Sequence, residues 1–222
     1  MSARFATDHF DLWLFDLDGT LVDTAPDLQG ALEATLEKFG YAPSGDTDIR
    51  AWVGAGAAVT IERALAAQDV ALDANAFAPL LAHFLDHYRA HIADRSIVYP
   101  GIAETLATLR ERGIPMACVT NKYETLARRL LDAIGIGSYF PVVIGGDTLS
   151  VRKPDPEPLF EACRRSDRSP GRALMIGDSK TDVDAARNAR IAVACVRYGY
   201  HQGVDLDGLG ADVLVESVHT LL

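Results

Sequence analysis

Residues 12–23 read Leu12-Trp13-Leu14-Phe15-Asp16-Leu17-Asp18-Gly19-Thr20-Leu21-Val22-Asp23. The run 12–16 is apolar up to its last residue, as in a strand buried on both faces of a parallel sheet. It ends in two carboxylates, Asp16 and Asp18, two positions apart. Strand side chains alternate faces with period two, so an extended backbone points both carboxylates the same way. Two like charges held together at a strand end are costly unless a cation or a proton relieves them. The stretch therefore predicts a first strand and a site at its carboxyl end.

Outward from it, short apolar runs predict strands over 115–120, 142–144, 173–177, 192–197 and 213–215. Helical patterning falls between them, over 102–112, 124–134, 156–165 and 180–189. Strands alternating with helices predict an α/β chain built on a Rossmann-like parallel sheet with crossover helices. Gly113, Gly135 and Gly137 stand where helix C-caps are expected. One interval breaks the rhythm. From residue 24 to 94 the patterning is helical only, over 28–39, 49–52, 57–67 and 75–92. That is too long for an ordinary crossover. It predicts an inserted all-helical cap, residues 24–94, on a catalytic core made of 1–23 and 95–222. Ligands of open parallel sheets bind outside the carboxyl ends of the strands. An insertion leaving there covers the site and excludes water from it.

The chain has 222 residues, 49% of them hydrophobic and 23% charged, an ordinary globular balance with ample core. No run approaches the roughly 18 apolar residues that span a bilayer. Residues 1–11 mix Arg, Asp and His and predict no secretory address. With 21 Lys and Arg against 31 Asp and Glu, the formal charge of −10 argues against nucleic-acid binding, which leans on Lys and Arg. A small anionic substrate stays compatible where local cations gather. Cys118, Cys163 and Cys195 are odd in number and flanked by apolar residues, as expected of reduced thiols in a cytoplasmic protein. The expected partner is a small molecule, with no nucleic acid or membrane, and the chain is expected as a monomer or homodimer.

Three later strand ends carry chemistry-bearing residues. The second predicted strand finishes at Thr120-Asn121-Lys122. Lys153 stands in Arg152-Lys153-Pro154-Asp155-Pro156, where the prolines stiffen the loop. Gly177-Asp178-Ser179-Lys180-Thr181-Asp182 leaves a strand and opens a helix. Each has an ordinary structural reading alone: a rim hydroxyl, a charged loop, an N-cap Asp followed by a helical Asp.

Together, Asp16-Leu17-Asp18-Gly19-Thr20, Thr120, Lys153 and Gly177-Asp178…Asp182 resemble, in identity and order, the signatures of the haloacid dehalogenase superfamily. Most of its members are magnesium-dependent phosphohydrolases, and the resemblance runs over essentially the whole chain. It implies Mg²⁺ held by the Asp16 carboxylate, the Asp18 backbone carbonyl and the Asp178 carboxylate, with Asp182 supporting from behind. It implies that Asp16 is the nucleophile and Asp18 the acid and base. Thr120, Asn121 and Lys153 are expected on the phosphoryl group, with the backbone around Leu17 helping to cradle it. The namesake dehalogenases lack Asp18 and the metal site, so Asp18, Lys153 and Asp178 point to phosphoryl chemistry.

A finer resemblance is to the bacterial phosphoglycolate phosphatase branch. It is carried by Trp52-Val53-Gly54-Ala55-Gly56, Glu62-Arg63-Ala64-Leu65, Val119-Thr120-Asn121-Lys122, Val143-Ile144-Gly145-Gly146-Asp147 and Tyr198-Gly199-Tyr200. That branch usually has Gly-Asn-Gly where this chain has Gly54-Ala55-Gly56, so any grip by that amide is missing. Gly54, Gly56, Arg63 and Lys122 are the expected contacts to the leaving group, set against a turn that needs small residues only for packing. A sugar-phosphate phosphatase, such as one acting on N-acetylmuramic acid 6-phosphate, a phosphomutase and a non-catalytic binding module are the alternatives. His83, His87 and His91 recur every four residues; an exposed helix face is the expectation, a metal site the alternative.

Overall fold

In this computed structural model residues 5–45, 48–201 and 203–222 are described, so residues 1–4 of the stretch read for a secretory address lie outside the described residues. Six strands form one parallel sheet: β1 (Leu12–Phe15), β4 (Met116–Val119), β5 (Val142–Ile144), β6 (Ala173–Gly177), β7 (Ala192–Val196) and β8 (Val213–Val215). They lie in the order β5-β4-β1-β6-β7-β8. These are the strands the apolar runs predict, shortened by a residue or two where the runs reach into loops.

Period-two alternation sorts the side chains onto two faces. Trp13, Phe15, Met116, Cys118, Leu174 and Ile176 pack into one core, with α4 (Ile102–Glu111) and α5 (Glu124–Ala133). Leu12, Leu14, Ala117, Val119, Ala173 and Met175 pack into the other, with α6 (Glu157–Arg165) and α7 (Lys180–Ala189). Burial on both faces is why the strands read as continuous apolar runs.

The chain leaves β1 for β4 and β5 on one side, then crosses to β6, β7 and β8 on the other. The order reverses at β1, and a crevice opens there beyond the carboxyl ends. In-register pairing of Phe15 with Cys118 and with Ile176 brings the next residues of all three strands to one level.

Residues 24–94 hold α1 (Ala25–Lys38), α2 (Ala57–Ala66) and α3 (Ala74–Ala90). Helix α1 starts three residues before the apolar pattern does, because Pro26 fits a first turn whose N–H is unpaired anyway. A two-stranded antiparallel ribbon, β2 (Val22–Asp23) and β3 (Ile97–Val98), ties the two ends of this segment. Two residues a side leave no periodicity to read, so the sequence gives no sign of the ribbon. The Asp27 carboxylate strengthens the tie by accepting from the backbone N–H groups of Arg95 and Ser96 and from the Ser96 hydroxyl. Gly113 and Gly135 take the positive φ expected after a helix. Gly137 does not; it opens a short 3-10 turn, Gly137–Tyr139. Among the described residues, no helix is long and apolar enough to cross a membrane.

Candidate active site

The strand geometry ends at Phe15, and the chain turns through Asp16-Leu17-Asp18-Gly19, closing on Val22 by the Gly19 N–H to Val22 carbonyl bond. Gly19 has φ +86°, and a Cβ there would collide with the Asp178 carboxylate. Glycine is thus required twice over, by conformation and by the approach of a second loop. The backbone N–H groups of Leu17, Asp18 and Asn121 donate to nothing among the described residues, three donors at one crevice.

Asp16 and Asp18 both line the cavity at the crevice, and each pairs with its own lysine. Lys153 Nζ lies 2.9 Å from Asp16 Oδ1 and 2.6 Å from Asp182 Oδ1, and donates to the Val119 carbonyl. Lys122 Nζ lies 3.0 Å from Asp18 Oδ1, which also accepts from the Thr24 hydroxyl at 2.6 Å. Both lysines are under 10% exposed. Burial opposes their charge, yet Asp16 and Asp182 outweigh it at Lys153, and Asp18 and Tyr88 outweigh it at Lys122, so both pKa values rise. Burial pushes the Asp16 carboxyl up to about 7; Lys153 pulls against this, and the charges of Asp182 and Asp18 add to it. Thr120 Oγ1 accepts the Lys122 N–H and keeps its own hydrogen for a ligand in the cavity it lines.

Among the described residues, Asp16, Asp178 and Asp182 are the one group of three or more His, Cys, Asp or Glu whose ligand atoms lie within 4.8 Å of one another. Three buried carboxylates face a single ammonium, Lys153. Burial, followed by the charges of Asp182 and Asp16, pushes the Asp178 carboxyl well above its usual range. That uncompensated negative charge, on an all-oxygen donor set, fits a hard divalent cation. The three acids are not equivalent. Asp182 Oδ2 accepts from the Ser179 hydroxyl and two backbone N–H groups in a capping box opening α7, and Oδ1 faces Lys153. Its lone pairs are largely taken, which suits a supporting position. Asp178 is oriented by the Thr20 hydroxyl and the Tyr200 N–H.

Two expected contacts sit elsewhere. Arg63 donates to the carbonyls of Trp52 and Ala51 and lies outside the cavity lining. Its guanidinium, on the helix whose first turns line the cavity, satisfies carbonyls of its own segment instead of facing a ligand. Asn121 donates both amide hydrogens to carbonyls, those of Gly54 and Lys153, at 3.0 Å each. Its buried Oδ1 has no partner. An acceptor cannot hold a phosphoryl oxygen, so only the backbone N–H of Asn121 is free for an anion; the side chain staples the helical segment to the core. Gly54 and Gly56 do line the cavity, beside Leu28, Val53, Phe84 and Tyr88.

His83, His87 and His91 form a ring-contact row along α3, and His83 Nδ1 lies 3.1 Å from Thr35 Oγ1. None of them belongs to the acidic group above. Beside it on α3 runs a buried row, Leu80, Phe84 and Tyr88. There Tyr88 Oη accepts from Lys122 Nζ at 2.9 Å. A tyrosine on an otherwise apolar buried stripe must find a polar partner, and that was the signal available in the sequence.

The model of the haloacid dehalogenase-like hydrolases matches residues 13–196. A phosphoglycolate phosphatase of Mesorhizobium japonicum is 44% identical over 187 residues, 84% of this chain and 82% of that one. One of Nitrosococcus oceani is 40% identical over 209 residues, covering 94% and 93%. A crystal structure described as a predicted phosphoglycolate phosphatase from Haemophilus somnus superposes with a TM-score of 0.90 at 30% identity, covering 96% and 97%.

Proposed function

This chain belongs to the haloacid dehalogenase-like hydrolases, and we propose that it is a Mg²⁺-dependent phosphatase that hydrolyses 2-phosphoglycolate to glycolate and inorganic phosphate. One observation carries the reading of the chemistry: two carboxylates share a cavity, each oriented by a separate buried lysine. The substrate comes from the relatives above, which are named for phosphoglycolate.

Asp16 attacks phosphorus through a carboxylate oxygen, and the bond to the ester oxygen breaks. Asp18 gives its proton to the departing alkoxide. Asp18, now a carboxylate, takes a proton from water as the water oxygen attacks the aspartyl-phosphate. Inorganic phosphate leaves and the Asp16 carboxylate is restored. Thr120 Oγ1 and the N–H groups of Leu17, Asp18 and Asn121 hold the phosphoryl oxygens, and Lys153 keeps Asp16 turned toward phosphorus. Mg²⁺, held by the carboxylates of Asp16 and Asp178 and the Asp18 carbonyl with Asp182 in support, supplies the positive charge that lets a carboxylate approach a phosphate dianion.

In this reading residues 24–94 act as a cap on a core of 1–23 and 95–222, pressing Gly54 and Gly56 over the bound leaving group and excluding bulk water. Three buried free cysteines accord with the reducing cytoplasm. A phosphate-release screen with Mg²⁺ tests the function. Phosphoglycolate is expected to give the highest kcat/KM. A sugar phosphate ahead of it replaces the substrate, and a parent inert toward every phosphoester sinks the enzyme reading.

A further inference from the structure

The helical segment presents the cavity with an almost unbroken carbon surface, Leu28, Val53, Phe84 and Leu85 among it. It brings two side-chain hydroxyls there, those of Thr60 and Tyr88. Thr60 Oγ1 lies 3.3 Å from the Gly56 carbonyl and 3.4 Å from that of Trp52, so its hydrogen has acceptors. Tyr88 differs. Its Oη accepts from Lys122, and its own hydrogen meets no acceptor among the described residues. Tyr88 is only 1% exposed, so bulk water does not serve it either. A buried phenol normally finds a partner for its hydrogen.

Lys122 reinforces the point. Its ammonium lies 4.4 Å from the centre of the Tyr88 ring and 3.0 Å from Asp18. One cation and one unmatched O–H donor therefore stand side by side, in the same cavity as the reacting carboxylates. Lys122 keeps one ammonium hydrogen beyond those facing Asp18 and Tyr88, so it and the Tyr88 O–H offer two hydrogens to an acceptor, and the cation favours an anion. On a two-carbon leaving group the anion within reach of an ester oxygen bound near Asp18 is a carboxylate.

We propose that Tyr88 Oη–H, together with Lys122 Nζ, forms the subsite for the carboxylate of the leaving group, making Tyr88 a specificity-determining residue carried on the helical segment. The proposal rests on the phosphoglycolate reading above. It gives the enzyme a simple selector: phosphoesters whose leaving group offers no anion there leave the Tyr88 hydrogen unpaired, while Lys122 stays with Asp18, and they bind the apolar wall poorly.

The test compares 2-phosphoglycolate with 2-hydroxyethyl phosphate, which replaces the carboxylate by a hydroxymethyl group, in the parent and in Tyr88→Phe. Phenylalanine keeps the ring beside the Lys122 ammonium and removes the hydroxyl, both its free hydrogen and the acceptor it gives Lys122. The KM for phosphoglycolate is expected to rise about 10- to 100-fold, as for loss of a hydrogen bond to a charged group, with kcat within about 3-fold. Both constants for 2-hydroxyethyl phosphate stay within about 2-fold. Equal losses on both substrates, or none on either, overturn the subsite. Should Tyr88→Phe fold poorly, the parent still answers: the neutral amide of phosphoglycolate must bind about 10-fold more weakly or worse, and equal binding overturns the subsite. A parent that ignores phosphoglycolate while hydrolysing another phosphoester overturns the substrate reading, and the subsite with it.

Discussion

The two walls of the cavity are built on opposite principles. The core wall is a net of charged side chains that hold one another: Lys153 binds Asp16, Asp182 and the Val119 carbonyl, while Thr20 and Tyr200 fix Asp178. The wall from the helical segment is carbon, relieved by one uncommitted hydroxyl. In a charge net, removing one member of a lysine–carboxylate pair strands the other in a low-dielectric site. A packed apolar wall tolerates any side chains that fill the same volume. In our reading the first wall does chemistry shared by many substrates, and the second chooses among them.

That contrast breaks most visibly at Asp16. Asp16→Asn keeps the volume and removes the nucleophile, so kcat is expected to fall about 10⁴-fold or more while KM for phosphoglycolate moves only a few-fold. Steady-state assays read both; a loss under about 10-fold would move the nucleophile elsewhere. Asp178→Asn comes next. The neutral amide relieves the crowding of buried carboxylates, so the metal-free fold is expected to hold or gain stability in urea. The Mg²⁺ concentration for half-maximal activity is expected to rise more than about 100-fold, beyond the range for residues behind a metal ligand. Calorimetric titration of Mg²⁺ checks the same point without turnover, and unchanged affinity would remove Asp178 from the ligand set.

The same contrast explains what could be read in the sequence. Asp16, Asp18, Thr120 and Asp178 follow strand ends, which are found from apolar runs alone, whereas Lys153 comes from the loop before α6 and is legible only through the family resemblance. Once the sheet is inferred, its topology brings the first four together without knowledge of any side-chain contact. The wall of the helical segment depends on how helices pack, which no local pattern encodes. Arg63 looked like a ligand because it is charged and near a Gly-rich turn, but its reach goes to carbonyls of its own segment. Asn121 carries a plausible phosphate-binding amide, yet both hydrogens go to the carbonyls of Gly54 and Lys153 across the seam between core and helical segment. Tyr88 was passed over because its row along α3 reads as core, which it is, apart from one oxygen.

Arg63→Ala sharpens the division by removing the charge that the sequence favoured on the helical side. Losing its hydrogen bonds to the Trp52 and Ala51 carbonyls is expected to cost about 1 kcal/mol in urea denaturation. Its kcat/KM for phosphoglycolate should stay within about 2-fold. A 10-fold loss of kcat/KM with stability intact would return Arg63 to the substrate and weaken the case for Tyr88.

The smallest expected effect separates the walls by pH. Burial lowers the pKa of His83, with Lys38 and His87 adding to it and Asp86 opposing; burial and then His91 lower His87, against Asp94. Both folded values lie below the ordinary 6.5. Between the folded values and 6.5 the unfolded imidazoles bind more protons, so their contribution to stability rises with pH through that window and is level above it. Glu124, held low by Thr148 and Arg128 against its burial, loses its contribution only in more acidic solution. Asp16 and Asp178, raised by burial, make stability fall with pH across the same range, so the histidines are read by difference: the urea midpoint of the parent minus that of a His83→Gln, His87→Gln double variant is expected to climb as pH approaches 6.5 from below. The double variant's kcat for phosphoglycolate at pH 7.5 should match the parent, because neither imidazole lines the cavity. A difference that stays flat with pH would show that neither imidazole's titration matters to folding near neutrality.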